Sequence, residues 1–192
     1  MNNLDIISTA STKLGKAKVQ SLDEGSFEAD VFGQLYEPTK QAALASYDWS
    51  FNKFTVELSR ELAAPTDTTW AYRFLLPSDY VSGGTCIDQT GATVTYAEEA
   101  GRVLRKSQRV FLKYTRDLDE REFPPLFTHY LIAMLAYEAC EPLVGDGNTQ
   151  NRLAQEIKDK FAMASSRDAI GKGPQTLISQ SRWQTARYGV RL

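Results

Sequence analysis

Apolar residues follow helical spacing at both ends of the chain and alternate with polar ones in the middle. Leu4, Ile7 and Leu14 share one helical face, and Gly15 follows as a stop, so a first helix is expected over Asn3 to Gly15. Ser21-Leu22-Asp23-Glu24 fits a capping box, in which the Ser oxygen and the Glu carboxylate each satisfy a free backbone N–H. A second helix should follow, carried by Phe27, Val31 and Leu35 and, beyond Pro38, by Ala42, Ala43 and Tyr47, to an end near Asp48. Proline has no N–H for the Gln34 carbonyl, so a kink is expected there.

Between Ser50 and Asp117 the period changes to two. Phe54, Val56 and Leu58 alternate, and Trp70, Tyr72, Phe74 and Leu76 fall on one face of a strand ended by Pro77. Gly83-Gly84, Gly91 and Gly101 separate shorter candidates at 85–88, 92–96 and 102–106, and Val110, Leu112 and Tyr114 alternate again. This pattern predicts an antiparallel meander.

Helical spacing then returns. Phe123-Pro124-Pro125 opens a third helix, where a first-turn proline forfeits no available hydrogen bond. LFTHYLIAMLAYEACEPLV is apolar on nearly every face, which places it at the centre of the helices. After the turn GDGN (145–148), Leu153, Ile157 and Phe161 give a fourth helix a narrow stripe. Regular patterning stops after Arg167, although Leu177, Ile178, Trp183 and Tyr188 follow. The expected fold is α+β: a four-helix bundle (1–49 and 118–168), an antiparallel β-sheet inserted between its second and third helices (50–117), and an extended C-terminal arm (169–192).

The corner SYDWSFNKFTVEL concentrates Tyr47, Trp49, Phe51 and Phe54. Trp49 and Phe51 have one parity and Phe54 and Val56 the other, so the chain must change face near Asn52-Lys53. The favoured reading is a structural aromatic seam between bundle and sheet, since each buried ring removes on the order of 150–250 Å² from water. A ligand cage is the alternative.

Composition narrows the functional classes. With 42% hydrophobic and 24% charged residues in 192, the chain has the balance of one globular domain with a sizeable core. Its net charge of -2 offers no strongly basic field for nucleic acid. The distribution is uneven: Lys172, Arg182, Arg187 and Arg191 follow Asp168 with no acid among them, so the remainder carries -6. There is no signal-like apolar stretch at the start and no run of roughly 20 apolar residues, so a cytosolic, membrane-free chain is expected. Cys86 and Cys140 are expected to be small buried hydrophobes.

Candidate chemistry is sparse. His129, the single histidine, lies in the apolar third helix and is expected to be structural and hydrogen-bonded; zinc sets cannot be assembled around it, and no cofactor is expected. SRDAIGKGP fails the phosphate-loop pattern at Ser166 and Gly173. Asp23-Glu24, Glu98-Glu99 and Asp119-Glu120 could supply paired carboxylates for a glycan-active hydrolase, but caps and turns explain them as well.

The order of elements adds a resemblance. YEPTKQAALASYDWSFNKF, the strand ending in LPSDY, YTRDLDEREFPPLFTHYLIAMLAYEACEPL, and the polar fourth helix with its trailing arm resemble the tail tubular protein A family of short-tailed bacteriophages. Related sequences often have His-Pro before the Trp where this chain has Tyr47-Asp48. The resemblance implies a non-enzymatic head-to-tail adaptor: a dodecameric homo-oligomeric ring in the virion neck, assembled in the host cytoplasm, between portal protein and tail nozzle protein. Genomic DNA would cross its lumen without sequence-specific binding. Arg182, Trp183, Arg187, Tyr188 and Arg191 are the expected portal-docking residues, combining the aromatic and Arg types that dominate interface energies. The alternatives are a virion-associated glycan hydrolase and a ligand-binding module built on the ring cluster.

Overall fold

The computed structural model describes residues 1–171, which form a mixed α+β fold with four α-helices and two small three-stranded antiparallel sheets. Helix α1 (Asn3–Lys13) is closed at its start by a reciprocal box: Asn2 Oδ1 accepts from the Asp5 amide at 2.8 Å and Asp5 Oδ2 accepts from the Asn2 amide at 3.0 Å. At its end Gly15 takes a φ of 72°, which glycine adopts without a Cβ penalty. Ile6, Ile7 and Ala10 face the core.

Helix α2 (Phe27–Ala45) starts later than the Ser21 box suggests. Its cap is Ser26, whose Oγ accepts from the Ala29 amide at 3.1 Å. Ser21 and Glu24 do bond across a turn, and Glu24 also accepts from Ser26 Oγ at 2.6 Å, so the expected box supports the true cap from outside the helix. The buried face also differs from expectation. Ala29, Phe32, Tyr36, Thr39, Lys40, Ala43 and Leu44 are buried, whereas Phe27 is 61% exposed and Val31 and Leu35 only border the core. The true stripe contains a lysine and a threonine, so hydropathy alone favoured its neighbour. The helix continues through Pro38.

The strands are β1 (Lys53–Glu57), β2 (Tyr72–Leu75), β3 (Tyr80–Ile87), β4 (Ala97–Glu99), β5 (Arg102–Arg105) and β6 (Phe111–Arg116). One sheet has the order β1-β6-β3 and the other β2-β5-β4, with every pair antiparallel. This corrects the meander. The last strand in the chain is central to the first sheet, and Phe54 pairs with Tyr114 across a long sequence separation. The candidate at 92–96 is not a strand: Thr93 makes one isolated bridge to Ile87, and the pairing strand begins at Ala97. Strand β3 slips register twice, between Tyr80 and Thr85, around Gly83-Gly84; a Cβ on Gly84 would come within 3.1 Å of the Leu112 side chain. Leu58, Phe74, Cys86, Val103, Val110, Leu112 and Tyr114 form the apolar core of this region.

Helix α3 (Pro125–Leu143) begins with Pro125 in its first turn and packs on α1, α2 and helix α4 (Gly147–Gly171). Asp146 precedes α4, and its Oδ2 accepts from the Thr149 amide at 2.8 Å. Leu153 and Ala164 are buried on α4 beside half-buried Ile157 and Phe161. The helix runs on to Gly171, so 169–171, expected to begin the arm, are helical. The helices share a second core that includes Trp49, Leu118, Phe123 and Phe127. Among the described residues, no helix is long and apolar enough to cross a membrane.

Candidate functional site

Three separate stretches of the chain converge where α2 meets the end of β6. Helix α2 presents Tyr36 and Lys40 one turn apart, on the face where residues four apart are neighbours. Strand β6 ends at Arg116 and delivers Asp117; a short 3-10 turn, Glu120–Glu122, begins with the Asp119 carboxylate accepting from the Arg121 amide at 2.9 Å. The Lys40 ammonium consequently lies 3.0 Å from Asp117, 3.3 Å from Glu37 and 3.6 Å from Glu120. Tyr36 donates its hydroxyl to Glu120 at 3.0 Å. The loop LPSDY joins from the other side: Tyr114 donates its hydroxyl to Asp79 at 2.7 Å, and the Asp117 amide donates to the Asp79 carbonyl at 2.7 Å.

Electrostatics favour the bonded, protonated forms of the donors at this junction. Burial works against the Lys40 charge, but its bond to Asp117 and the field of Glu37 outweigh that, and the net shift is upward. An ammonium held protonated is neither nucleophile nor base at neutral pH. Burial and the Glu120 carboxylate push the Tyr36 hydroxyl far above the usual phenol range, and burial with the Asp79 bond raises Tyr114 to about 12. One further buried polar group lies close by. Arg116 donates its amide to the Asn52 carbonyl at 3.0 Å, while the Asn52 side-chain amide has no hydrogen-bond partner among the described residues.

The aromatic corner is a separate cluster. Trp49 is 1% exposed, and its ring centroid lies 4.9 Å from Tyr47, 5.9 Å from Phe51, 5.2 Å from Phe127 and 5.9 Å from Phe161. Its Nε1 donates to the Ala43 carbonyl at 3.0 Å, tying the ring to the last turn of α2. The structure therefore brings Tyr47, Trp49 and Phe51 together where the end of α2 meets α3 and α4, not between helices and sheet. Phe54 stands apart, 42% exposed on β1, 6.3 Å from Tyr114 and under the Arg116 guanidinium at 4.9 Å. The change of face at Asn52-Lys53 separates it from the other three.

Beside Trp49 a groove of about 410 Å³ opens between the corner, the start of α3 and the end of α4. Phe51, Pro125, Leu126 and Ala164 wall it, with Arg167 and Gly171 among its lining residues. Asp168 holds this end of α4 to the corner by accepting from the Ser50 amide at 2.9 Å and the Ser50 hydroxyl at 2.5 Å.

The remaining sequence candidates fall elsewhere. His129 is exposed, not in the core, and borders a small cleft with Met1, Phe123, Pro125 and Thr128; α3 keeps one wet strip that its composition concealed. Glu24 is held below its ordinary carboxylate value by hydrogen bonds from Ser26 and Gln20, as a turn residue is. Glu98 and Glu99 are exposed on β4. Among the described residues no group of three His, Cys, Asp or Glu is placed to hold a metal ion. Cys86 and Cys140 are both buried and free, and burial raises both thiols, Cys86 to about 11. Arg182, Trp183, Arg187, Tyr188 and Arg191 lie outside the described residues.

No protein-family model matches the chain. No curated protein matches it.

Proposed function

We propose that the chain is a head-to-tail adaptor of the tail tubular protein A kind, a structural ring subunit between portal and tail nozzle without an active site. In this reading residues 1–49 and 118–171 form a four-helix bundle, the two small sheets of 50–117 are inserted into it, and the chain beyond Gly171 docks on the portal. The observation that carries the reading is the meeting of three resemblance segments in one lock. Tyr36 and Lys40 come from YEPTK, Asp79 from LPSDY, and Asp117 and Glu120 from RDLDERE, and they are joined by bonds of 2.7 to 3.6 Å. Residues shared with a family for a structural reason would be expected at such a joint, where they fix the angle between the helices and the strands. An adaptor needs that angle constant, because a head-to-tail ring closes only if every interface repeats the same rotation. The acidic body also suits a channel that DNA slides through, since like charges repel.

The test is reconstitution with the portal ring of the same phage, imaged by negative stain. The full chain should add a ring of density beneath the portal. A chain ending at Gly171 should keep the far-UV circular dichroism of the full chain and fail to bind. Full portal binding by the truncated chain removes the arm's role, and absence of this polypeptide from the neck of intact virions removes the adaptor reading itself.

A further inference from the structure

The groove beside Trp49 and the sequence beyond Gly171 meet at one point. Gly171 is both the last residue of α4 and part of the groove lining, so the chain continues from the groove itself. A cavity of about 410 Å³ lies within the roughly 300–1,000 Å³ that ligand pockets occupy. Its walls are mainly rings, prolines and aliphatic groups, from Trp49, Phe51, Pro125 and Leu126. Such walls call for an apolar occupant carrying little charge of its own.

The sequence after Gly171 supplies one. Leu177, Ile178 and Trp183 are apolar residues that follow Gly171 in the sequence, and a fully extended chain from Gly171 to Leu177 spans at most roughly 20 Å. Trp is the side chain that gains most from such a seat, with a large apolar area and an N–H that can face the wet rim. Net charge adds a long-range attraction between this segment and the helical body as a whole. Residues 1–49 and 118–171 carry nine Lys and Arg against sixteen Asp and Glu, while 172–192 carry four cations and no acid. A tethered segment also competes at an effective concentration in the millimolar range for a short linker, which a separate partner does not match.

We propose that the groove between the Trp49 corner, the start of α3 and the end of α4 is the docking site for residues 177–183 of the same chain, with Trp183 as the anchor. The inference does not depend on the adaptor reading. If the portal binds the arm as well, it competes with the groove for Trp183, and a free subunit keeps its arm folded back until the portal displaces it.

The full-length protein labelled with 5-fluorotryptophan gives three fluorine resonances, from Trp49, Trp70 and Trp183. Each is assigned by Trp→Phe substitution, and its solvent isotope shift measures exposure. Trp183 should show less than half the isotope shift of a free indole. Leu126→Glu, on the groove wall, should restore the full value while leaving Trp70 unchanged. A second variant, Leu177→Asp with Ile178→Asp, alters only the arm and should release Trp183 to the same extent even if Leu126→Glu perturbs folding. A fully solvent-shifted Trp183 in the unmodified protein overturns the proposal, as does a protected Trp183 that ignores both variants. Protection that appears only as concentration rises, together with a doubled mass on size-exclusion chromatography, assigns the groove to a second copy's arm and also overturns it.

Discussion

Lys40 of α2 lies 3.0 Å from the carboxylate of Asp117 at the end of β6, with its own side chain 8% exposed and that of Asp117 33% exposed. This pair joins the helical core to the strands, and it is asymmetric. The cation is surrounded by Glu37, Asp117 and Glu120, so removing it leaves three carboxylates facing one another. Lys40→Met should therefore cost toward the lower end of the roughly 3–5 kcal/mol seen when a buried partner is abandoned, because water reaches part of Asp117. Asp117→Asn, which leaves Lys40 two acids, should cost less than half as much. Urea denaturation read by circular dichroism measures both, and equal losses would contradict the geometry.

Trp49 offers a second contrast. Trp49→Ala empties a site filled on several sides by rings and should lose roughly 3–5 kcal/mol. Trp49→Phe keeps most of the packing and forfeits the bond from Nε1 to the Ala43 carbonyl. That carbonyl also accepts from the Ser46 hydroxyl at 2.8 Å, so it is not orphaned, and the loss should be nearer 1–2 kcal/mol. A near-zero loss for the alanine variant, with an altered affinity for some ligand, would point to the cage instead of the core.

The sequence patterns that proved legible were those governed by one local force. Gly15 as a stop, Pro125 as a helix opener and the alternation in Val110, Leu112 and Tyr114 each depend on a few neighbouring residues, and the structure places all of them as expected. What stayed hidden depends on distant partners. Nothing near Lys53 says that β1 pairs with β6 and not with the next strand, because register between far segments is set by whole-face packing. Lys40 reads as a surface residue until Asp117 is known to face it. His129 shows the converse: an apolar neighbourhood in sequence is not burial, since one strip of α3 remains wet. The lock was hidden for the same reason: of the acids around Lys40 only Glu37 shares its helix, and Asp117 and Glu120 arrive from a segment far along the chain.

The start of α2 tests how two serines divide one task. Ser26 Oγ accepts from the Ala29 amide, whereas Ser21 Oγ accepts only within a turn, from the Asp23 amide at 3.2 Å. Ser26→Ala should lower stability by about 1 kcal/mol, the usual loss of an N-cap. Ser21→Ala should cost a few tenths at most, since its turn is exposed and also held by Glu24. Thermal melts of the two variants should separate clearly, and the reverse order would mean that the sequence-level box at Ser21 is the true helix start.

Alkaline pH should weaken the fold through several groups acting in the same direction. The Cys86 thiol rises from 9.0 to about 11 on folding, Tyr114 from 10.0 to about 12, and Tyr36 and Lys40 also move upward. A folded-state value above the unfolded one means that the native chain holds the proton more tightly. That stability is complete below the unfolded value and is lost as pH climbs toward the folded value. The free energy of unfolding should thus be unaffected by these groups up to about pH 8 and fall steadily from pH 9 to 12, with proton uptake on refolding. The Tyr114 share of that loss should fall between about pH 10 and pH 12. Tyr114→Phe removes the phenol and its bond to Asp79, which should cost about 1 kcal/mol at neutral pH and make the decline between pH 10 and 12 visibly shallower. Denaturation curves at half-unit steps across this range decide the matter. An unchanged slope in the Phe variant would show that Tyr114 does not hold its proton through folding, and that the contact with Asp79 contributes little to the junction between strands and helices.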